Sequence, residues 1–159
     1  MEHRIRSAGI LIQEQSILLV KVRDFSGEYW IPPGGGFEIE DVSTKGCLRR
    51  EFVEETGLEV EVGELICVRE FLETTAGRYN AEFFYHIPSF SGTPHIDNLH
   101  GLNDEELIQS VEWVPLAALS GMRTYPADLN AVVELTKQKR FATHLGSYIQ
   151  GNDETVNHL

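Results

Sequence analysis

Apolar and polar residues alternate along much of the chain, and the first elements they predict are strands. "IRSAGILIQ" and "ILLVKVRD" read as two β-strands joined by a short polar turn around "EQS". The next stretch, "FSGEYWIPPGGGFEIED", breaks the alternation. Its prolines and three consecutive glycines predict a loop in which backbones approach closely. From Ser43 or Thr44 the spacing becomes helical, with Leu48 and Phe52 four apart on the core side and Gly57 marking the stop. "LEVEVGELICVREFLE" and "RYNAEFFYHIP" return to strand character. In the second, Tyr79, Ala81, Phe83, Tyr85 and Ile87 share one face. "SFSGTPHIDNLHGLNDEE" reads as loop, "LIQSVEWVPL" as a further strand, and "PLAALSG" and "PADLNAVVELTKQ" as a short and a longer helix. Strands mixed with few helices predict an α+β domain with a mixed sheet and a helix packed on it. Residues 1–148 are expected to form the domain. Residues 149–159 are expected to be a polar tail whose last stretch, "GNDETVNHL", frays.

Composition narrows the class. The 159 residues suit one domain, and 42% hydrophobic with 24% charged residues is the balance of a soluble globular protein. No apolar run approaches the roughly 20 residues that cross a bilayer. The start, "MEHRIRSAGI", lacks a secretory pattern, so the cytoplasm is the expected location. Cys47 and Cys67 make neither a metal pattern nor a disulfide framework. Lys plus Arg number 13 against 25 Asp plus Glu, for a formal net charge of −12. Such a surface repels nucleic-acid polymers and anionic membranes, and neither is an expected partner. A small anionic substrate is repelled too, unless cations bridge the two. A homodimer is compatible with the sequence, which does not specify one.

Charge concentrates in "GCLRREFVEETGLEV". On a helix Glu51, Glu54 and Glu55 stand at i, i+3 and i+4, on one face, where like charges destabilise by roughly 0.2–0.5 kcal/mol per pair. Arg50, four residues before Glu54, pins one carboxylate. Taken alone, the cluster reads most often as a solvated acidic face. Its neighbourhood changes the odds. Cys47 shares the face and is small, so the upstream glycine loop can pass close above the carboxylates. Loop carbonyls and facing glutamates make an all-oxygen site, suited to Mg²⁺ or Mn²⁺ rather than zinc.

"GGGFEIEDVSTKGCLRREFVEETGL" resembles the Nudix box, in which a glycine is followed after five residues by Glu and after seven more by Arg-Glu-aliphatic-x-Glu-Glu-x-Gly-aliphatic. Arg50, Glu51, Glu54, Glu55, Gly57 and Leu58 match the second half, and "WIPPGGGFE" resembles the family's lead-in. Phe52 replaces the usual aliphatic residue. The first glutamate of the box is absent: counting back from Arg50 reaches Val42, and counting forward from Gly35 reaches Asp41. A one-residue insertion after Glu38, with Asp41 as stand-in, is the simplest account, and it bears on loop geometry and substrate fit more than on the metal face.

The resemblance implies an α/β/α sandwich with a mixed central sheet. It also implies hydrolysis of a phosphoanhydride in a nucleoside diphosphate linked to another moiety, by water attack on phosphorus. Glu51, Glu54 and Glu55, with the carbonyl of Gly34, would hold Mg²⁺ or Mn²⁺. Arg50 would orient the glutamates, and Glu54 and Glu55 carry the chemistry. The general base is a box glutamate in some members and a later-loop glutamate in others. Here Glu105 and Glu106 are candidates, with Glu106 preferred. Arg23, Trp30 and Gly35 are candidates for substrate contact, although Trp30 and its neighbour Tyr29 would more commonly pack under the loop, and a solvated strand end suits Arg23 equally. Two other readings stay on the table. A nucleotide sensor on this fold would not need a complete acidic face. An isopentenyl diphosphate isomerase calls for a cysteine across the pocket, whereas Cys47 lies in the box helix. ADP-ribose, nucleoside triphosphates, dinucleoside polyphosphates and sugar nucleotides all remain open as substrates.

Overall fold

The structure, a computed structural model, describes residues 1–150 and 155–159; the middle of the tail expected to fray, residues 151–154, lies outside the described residues. The chain runs β1 (Glu2–Ile10), β2 (Ile12–Gln13), β3 (Ser16–Asp24), β4 (Gly27–Ile31) and β5 (Gly34–Gly36) into helix α1 (Thr44–Thr56). Then follow β6 (Glu59–Glu61), β7 (Leu65–Glu73), β8 (Arg78–His86), β9 (Ser89–Ser91), β10 (Ile108–Pro115) and α2 (Leu129–Lys137). One sheet has the order β5-β1-β8-β7. It is mixed, because β1 and β8 run parallel while the outer strands are antiparallel to their neighbours. The second is antiparallel around β3, which pairs β10, β4 and the short β2. β6 and β9 form a separate two-stranded ribbon.

The period of two decides which side chain meets which helix. Ile17, Leu19, Ala8, Ile10 and Phe84 pack with Leu129, Val132 and Val133 of α2. Their neighbours in sequence, Leu18, Leu11 and Tyr85, turn the other way and pack with Leu48 and Phe52 of α1. Sheet strands are thus covered by a helix on each face, the expected α/β/α sandwich. Phe83, Tyr85 and Ile87 do share the α1 face. Phe52, bulkier than the aliphatic residue usual in the box, fits because Gly9 opposite has no side chain; a Cβ there would collide with the ring.

The "FSGEYWIPPGGGFEIED" segment departs from its expectation as loop. Glu28 to Ile31 ladder against β3, and Gly34 to Gly36 against β1. Pro32 and Pro33 sit between, where the chain leaves one sheet for the other and no ladder donor is needed. "LEVEVGELICVREFLE" breaks into two strands around Val62, which is buried, and Gly63, whose amide donates to the carbonyl of His86. "PLAALSG" forms a 3₁₀ turn rather than an α-helix. "SFSGTPHIDNLHGLNDEE" contains β9 and a 3₁₀ turn at Asp97–Leu99. After α2, Ala142 N donates to Leu65 O, Phe141 stacks on His86, and Ser147 accepts from His158 N. No helix among the described residues is long and apolar enough to cross a membrane.

Candidate functional site

Helix α1 begins where the sequence predicts: Ser43 caps it, its hydroxyl accepting from Gly46 N at 3.0 Å, and Gly57 closes it at φ 72°. Between these ends, Leu48 and Phe52 anchor one side and thereby fix the direction of the glutamates. Glu51 and Glu55 are buried, at 6% and 3% exposure, while Glu54 stands at the rim. An acidic surface face would leave all three in water, so the arrangement is not simply a solvated helix.

β5 lies directly over them. Gly9 N donates to Pro33 O and Phe37 N to Ile5 O, so by alternation Gly34 and Gly36 turn their backbone groups away from β1. Gly34 N donates to Glu55 Oε2 at 3.1 Å, and Gly36 O accepts from Arg50 Nη2 at 2.9 Å. Between them Gly35 sits on the Glu51 carboxylate so closely that a Cβ would overlap it. Cys47, as its size suggested, lets the strand approach: its Sγ lies 3.7 Å from Gly35 O. Arg50 ties the site together. It holds both oxygens of Asp41 (2.7 and 2.9 Å), Glu51 Oε1 at 2.9 Å and Glu54 Oε2 at 3.3 Å. Asp41 reaches it from a 3₁₀ turn that ends in a γ-turn at Val42, where φ is 66° and Ser43 N donates to Asp41 O at 2.7 Å. A β-branched residue at positive φ is strained. Asp41 therefore serves as the partner of Arg50, and Val42 absorbs the bend.

Burial, followed by repulsion from Glu54, pushes Glu51 up to about 7, with Arg50 pulling against both. Glu55 is raised well above the usual carboxylate range, by burial first and Glu51 second. Asp41 goes the other way: burial is the largest single influence and raises it, but the hydrogen bonds and charge of Arg50 and the Glu38 amide together bring it below the ordinary value. The Cys47 thiol is pushed up to about 12 by burial and by Asp41 and Glu51, so it stays protonated and offers no thiolate. Among the described residues no three His, Cys, Asp or Glu side chains form a ready-made cage. The donor chemistry nevertheless fits a hard divalent cation: carboxylates alone, two of them buried with incompletely offset charge.

Between 4.5, the ordinary glutamate value, and about 7, folded Glu51 keeps a proton that the unfolded chain has released; Glu55 behaves likewise. Stability of the metal-free protein should therefore fall as pH rises through that window. His86, lowered by burial, opposes this as a single group. Calorimetry in EDTA should give a lower melting temperature at pH 8 than at pH 5. Added Mg²⁺ should recover the difference at pH 8, and Glu51→Gln should flatten the slope. A metal-insensitive melting temperature at pH 8 would contradict the assignment.

The carboxylates open into a cleft of about 550 Å³ lined by Arg4, Gly36, Arg50, Glu51, Glu54 and Asp104. A neck of about 180 Å³, walled by Arg4, Arg6, Glu51, Glu55, Tyr29 and Asp104, leads onward. Beyond Arg6 a third cavity, about 530 Å³, is lined by Tyr29, Ile31, Phe71, Tyr125 and Pro126, with Arg69 and Glu82. Gly34 and Gly35 line the neck with Glu51 and Glu55. Glu106 is exposed and lines none of these cavities; the acid of its loop that lines the cleft and the neck is Asp104, itself exposed at their rim, on a loop pinned by buried Leu99 and by Asn98 Nδ2, which donates to Val53 O on α1. Glu105 is turned back on its own loop, accepting from Gly101 N. Arg23 is exposed and paired with Glu28 at 2.8 Å, and Trp30 packs half-buried against the α2 core under Lys21. Neither lines the three cavities, whereas Tyr29 lines two. Arg4, Arg6 and Asp104 were not anticipated. Only the alternation of β1, which puts Arg4 and Arg6 on one face, hinted at the first two.

The sequence model of the NUDIX domain matches residues 3–135. The chain belongs to the NUDIX family. A MutT-like protein of Streptomyces ambofaciens is 39% identical over 75 residues, 47% of this chain and 46% of that protein, so the chain spans about half the length of that relative. The solution structure of the E. coli ORF135 protein superimposes with a TM-score of 0.66 at 26% identity, covering 88% of this chain and 92% of that one. The NUDIX domain of Shewanella oneidensis NrtR, solved with ADP ribose, gives 0.65 at 18% identity over 88% of each chain. The buried Glu51 and Glu55, the rim Glu54 and Arg50 all fall within the stretch that the NUDIX model matches.

Proposed function

We propose that this protein hydrolyses a phosphoanhydride in a nucleoside diphosphate linked to another moiety, using Mg²⁺ or Mn²⁺ held by Glu51, Glu54, Glu55 and the carbonyl of Gly34. The observation that carries the reading is the pair of buried carboxylates, Glu51 and Glu55, facing a cleft beneath a glycine strand. When bound, the ions supply charge neutralisation of the diphosphate and an acidified water. The chain's own residues do the rest. Arg50 holds Glu51 and Glu54 in register through its planar guanidinium. Gly35 brings backbone, rather than a side chain, against Glu51. Asp104, in place of Glu106, is the later-loop acid placed to accept a proton from water, with Glu55 the alternative within the helix. The aromatic cavity beyond Arg6 suits the organic part of the substrate, with Tyr29 rather than Trp30 as its stacking surface. ADP ribose, the ligand of the Shewanella neighbour, is one compound of this class.

A panel of ADP-ribose, nucleoside triphosphates, dinucleoside polyphosphates and sugar nucleotides, scored for phosphate products, tests the reading. Release of a nucleoside monophosphate that stops with EDTA is the expected result. Nucleotide binding without turnover on any compound would replace the hydrolase with a sensor.

A further inference from the structure

Among the half-buried arginines, Arg6, Arg50, Arg69 and Arg78 each hold a carboxylate. Arg4 holds none among the described residues, although it is half-buried and walls both the acidic cleft and the neck. Its place follows from the sheet. β1 and β8 run parallel with Arg4 beside Asn80 and Arg6 beside Glu82, so all four share one face. Arg6 is committed to Glu82 at 2.8 Å, and Arg78 to Glu2 at 3.2 Å and Glu73 at 3.5 Å. Between these two cations the Arg4 guanidinium extends over Gly36, its Nε only 2.9 Å from where a Cβ of that residue would stand. Beside it, Asn80 Oδ1 is buried without a hydrogen-bond partner. Burial, then repulsion by Arg6 and Arg78, pulls Arg4 below the ordinary arginine value. Glu73 and Asp104 attract it less than these effects oppose it, and among the described residues this partly desolvated cation forms no ion pair, the cleft's glutamates being engaged by Arg50 and Gly34.

We propose that Arg4 is a positioning residue that binds a phosphoryl group of the substrate at the polar end of the cleft, across the neck from the aromatic cavity. This rests on the hydrolase reading and sharpens it. With the nucleoside in the aromatic cavity and the scissile diphosphate in the neck, Arg4, which walls both neck and cleft, meets the far end of the diphosphate and whatever lies beyond it. A guanidinium there favours a distal phosphate, as in a nucleoside triphosphate, over a neutral sugar. It also gives an acidic chain a fixed cation of its own for the anion, alongside the metal.

Steady-state kinetics of Arg4→Ala and Arg4→Lys on a nucleoside triphosphate and on ADP-ribose, with calorimetric titration of a methylene-bridged triphosphate analogue in Mg²⁺, test it. Arg4→Ala should raise KM for the triphosphate and weaken the analogue by about 10–100-fold, with kcat changed far less. KM for ADP-ribose should rise clearly less than KM for the triphosphate, since ADP-ribose offers Arg4 the diphosphate but no distal phosphate. Arg4→Lys should recover part of the loss, and the melting temperature of Arg4→Ala should be unchanged or higher, because no ion pair is removed and a repulsion is. Equal losses on both substrates, or no loss on the triphosphate, overturn the inference. A wild-type enzyme that cleaves only compounds with a neutral distal moiety also sinks it while leaving the hydrolase intact. A wild-type protein that neither binds nor cleaves any member of the panel removes both.

Discussion

Glu55→Gln and Glu54→Gln are each expected to lower turnover by about 10²–10⁴-fold, the range seen when a charged group acting at the reacting centre is removed. The two substitutions act from different positions. Glu55 lies at 3% exposure with Gly34 N on its Oε2. A glutamine keeps an oxygen for that amide and nearly the same volume, so packing survives and only the charge goes. Because burial and Glu51 hold the Glu55 carboxyl well above its ordinary range, the metal-free Glu55→Gln protein should be at least as stable as the parent near pH 8. Glu54 is at the rim and only weakly held by Arg50 at 3.3 Å, so its replacement should leave stability untouched. Activity falling while stability holds or rises is the signature of a charge kept for chemistry. Phosphate release and circular dichroism on both variants decide the matter, and full activity in the pair would eliminate the metal-site mechanism.

The carboxylates were legible in the sequence because helical spacing is rigid. Once Leu48 and Phe52 point inward, Glu51 and Glu55 must follow within one turn, and Cys47 between them and the glycines announces a close approach. β5 was not legible as a strand. Glycines carry no alternation of apolar and polar side chains, so nothing in "GGG" distinguishes a ladder with β1 from a loop. Asp41 was reached by counting. What counting could not supply was the γ-turn at Val42 that lays the carboxylate on Arg50. Glu106 and Asp104 differ for a tertiary reason: the 97–107 segment is pinned by Leu99 in the core and Asn98 on α1, which sets which acid lines the cleft. For Arg4 and Arg6 the alternation of β1 shows only a shared face, since their meaning as site residues depends on parallel pairing with β8, formed across more than seventy intervening residues.

Arg50→Met is the substitution with the largest expected effect on stability. Arg50 makes two bonds to Asp41, one each to Glu51 and Glu54, and one to Gly36 O. The Asp41 side chain is only 3% exposed and that of Glu51 9%, so methionine would leave two nearly dry carboxylates without a cation. Breaking a buried ion network from one side costs about 3–5 kcal/mol, and the lower end applies because Arg50 is itself 23% exposed. For a chain of this length that corresponds to a melting temperature lower by roughly 6–12 °C. Arg50→Lys should fall between, since one ammonium cannot span both Asp41 oxygens and the Gly36 carbonyl together. The decisive arm is the double variant Arg50→Met with Asp41→Asn. If the loss comes from the stranded Asp41 charge, the second change should restore about half of it, whereas a packing defect would make the two losses add. Turnover should not recover with stability, because Glu51 and Glu54 would still lack the group that orients them, a deficit of about 10–100-fold for a residue supporting metal ligands. Recovery of both together would mean that Arg50 serves the fold alone.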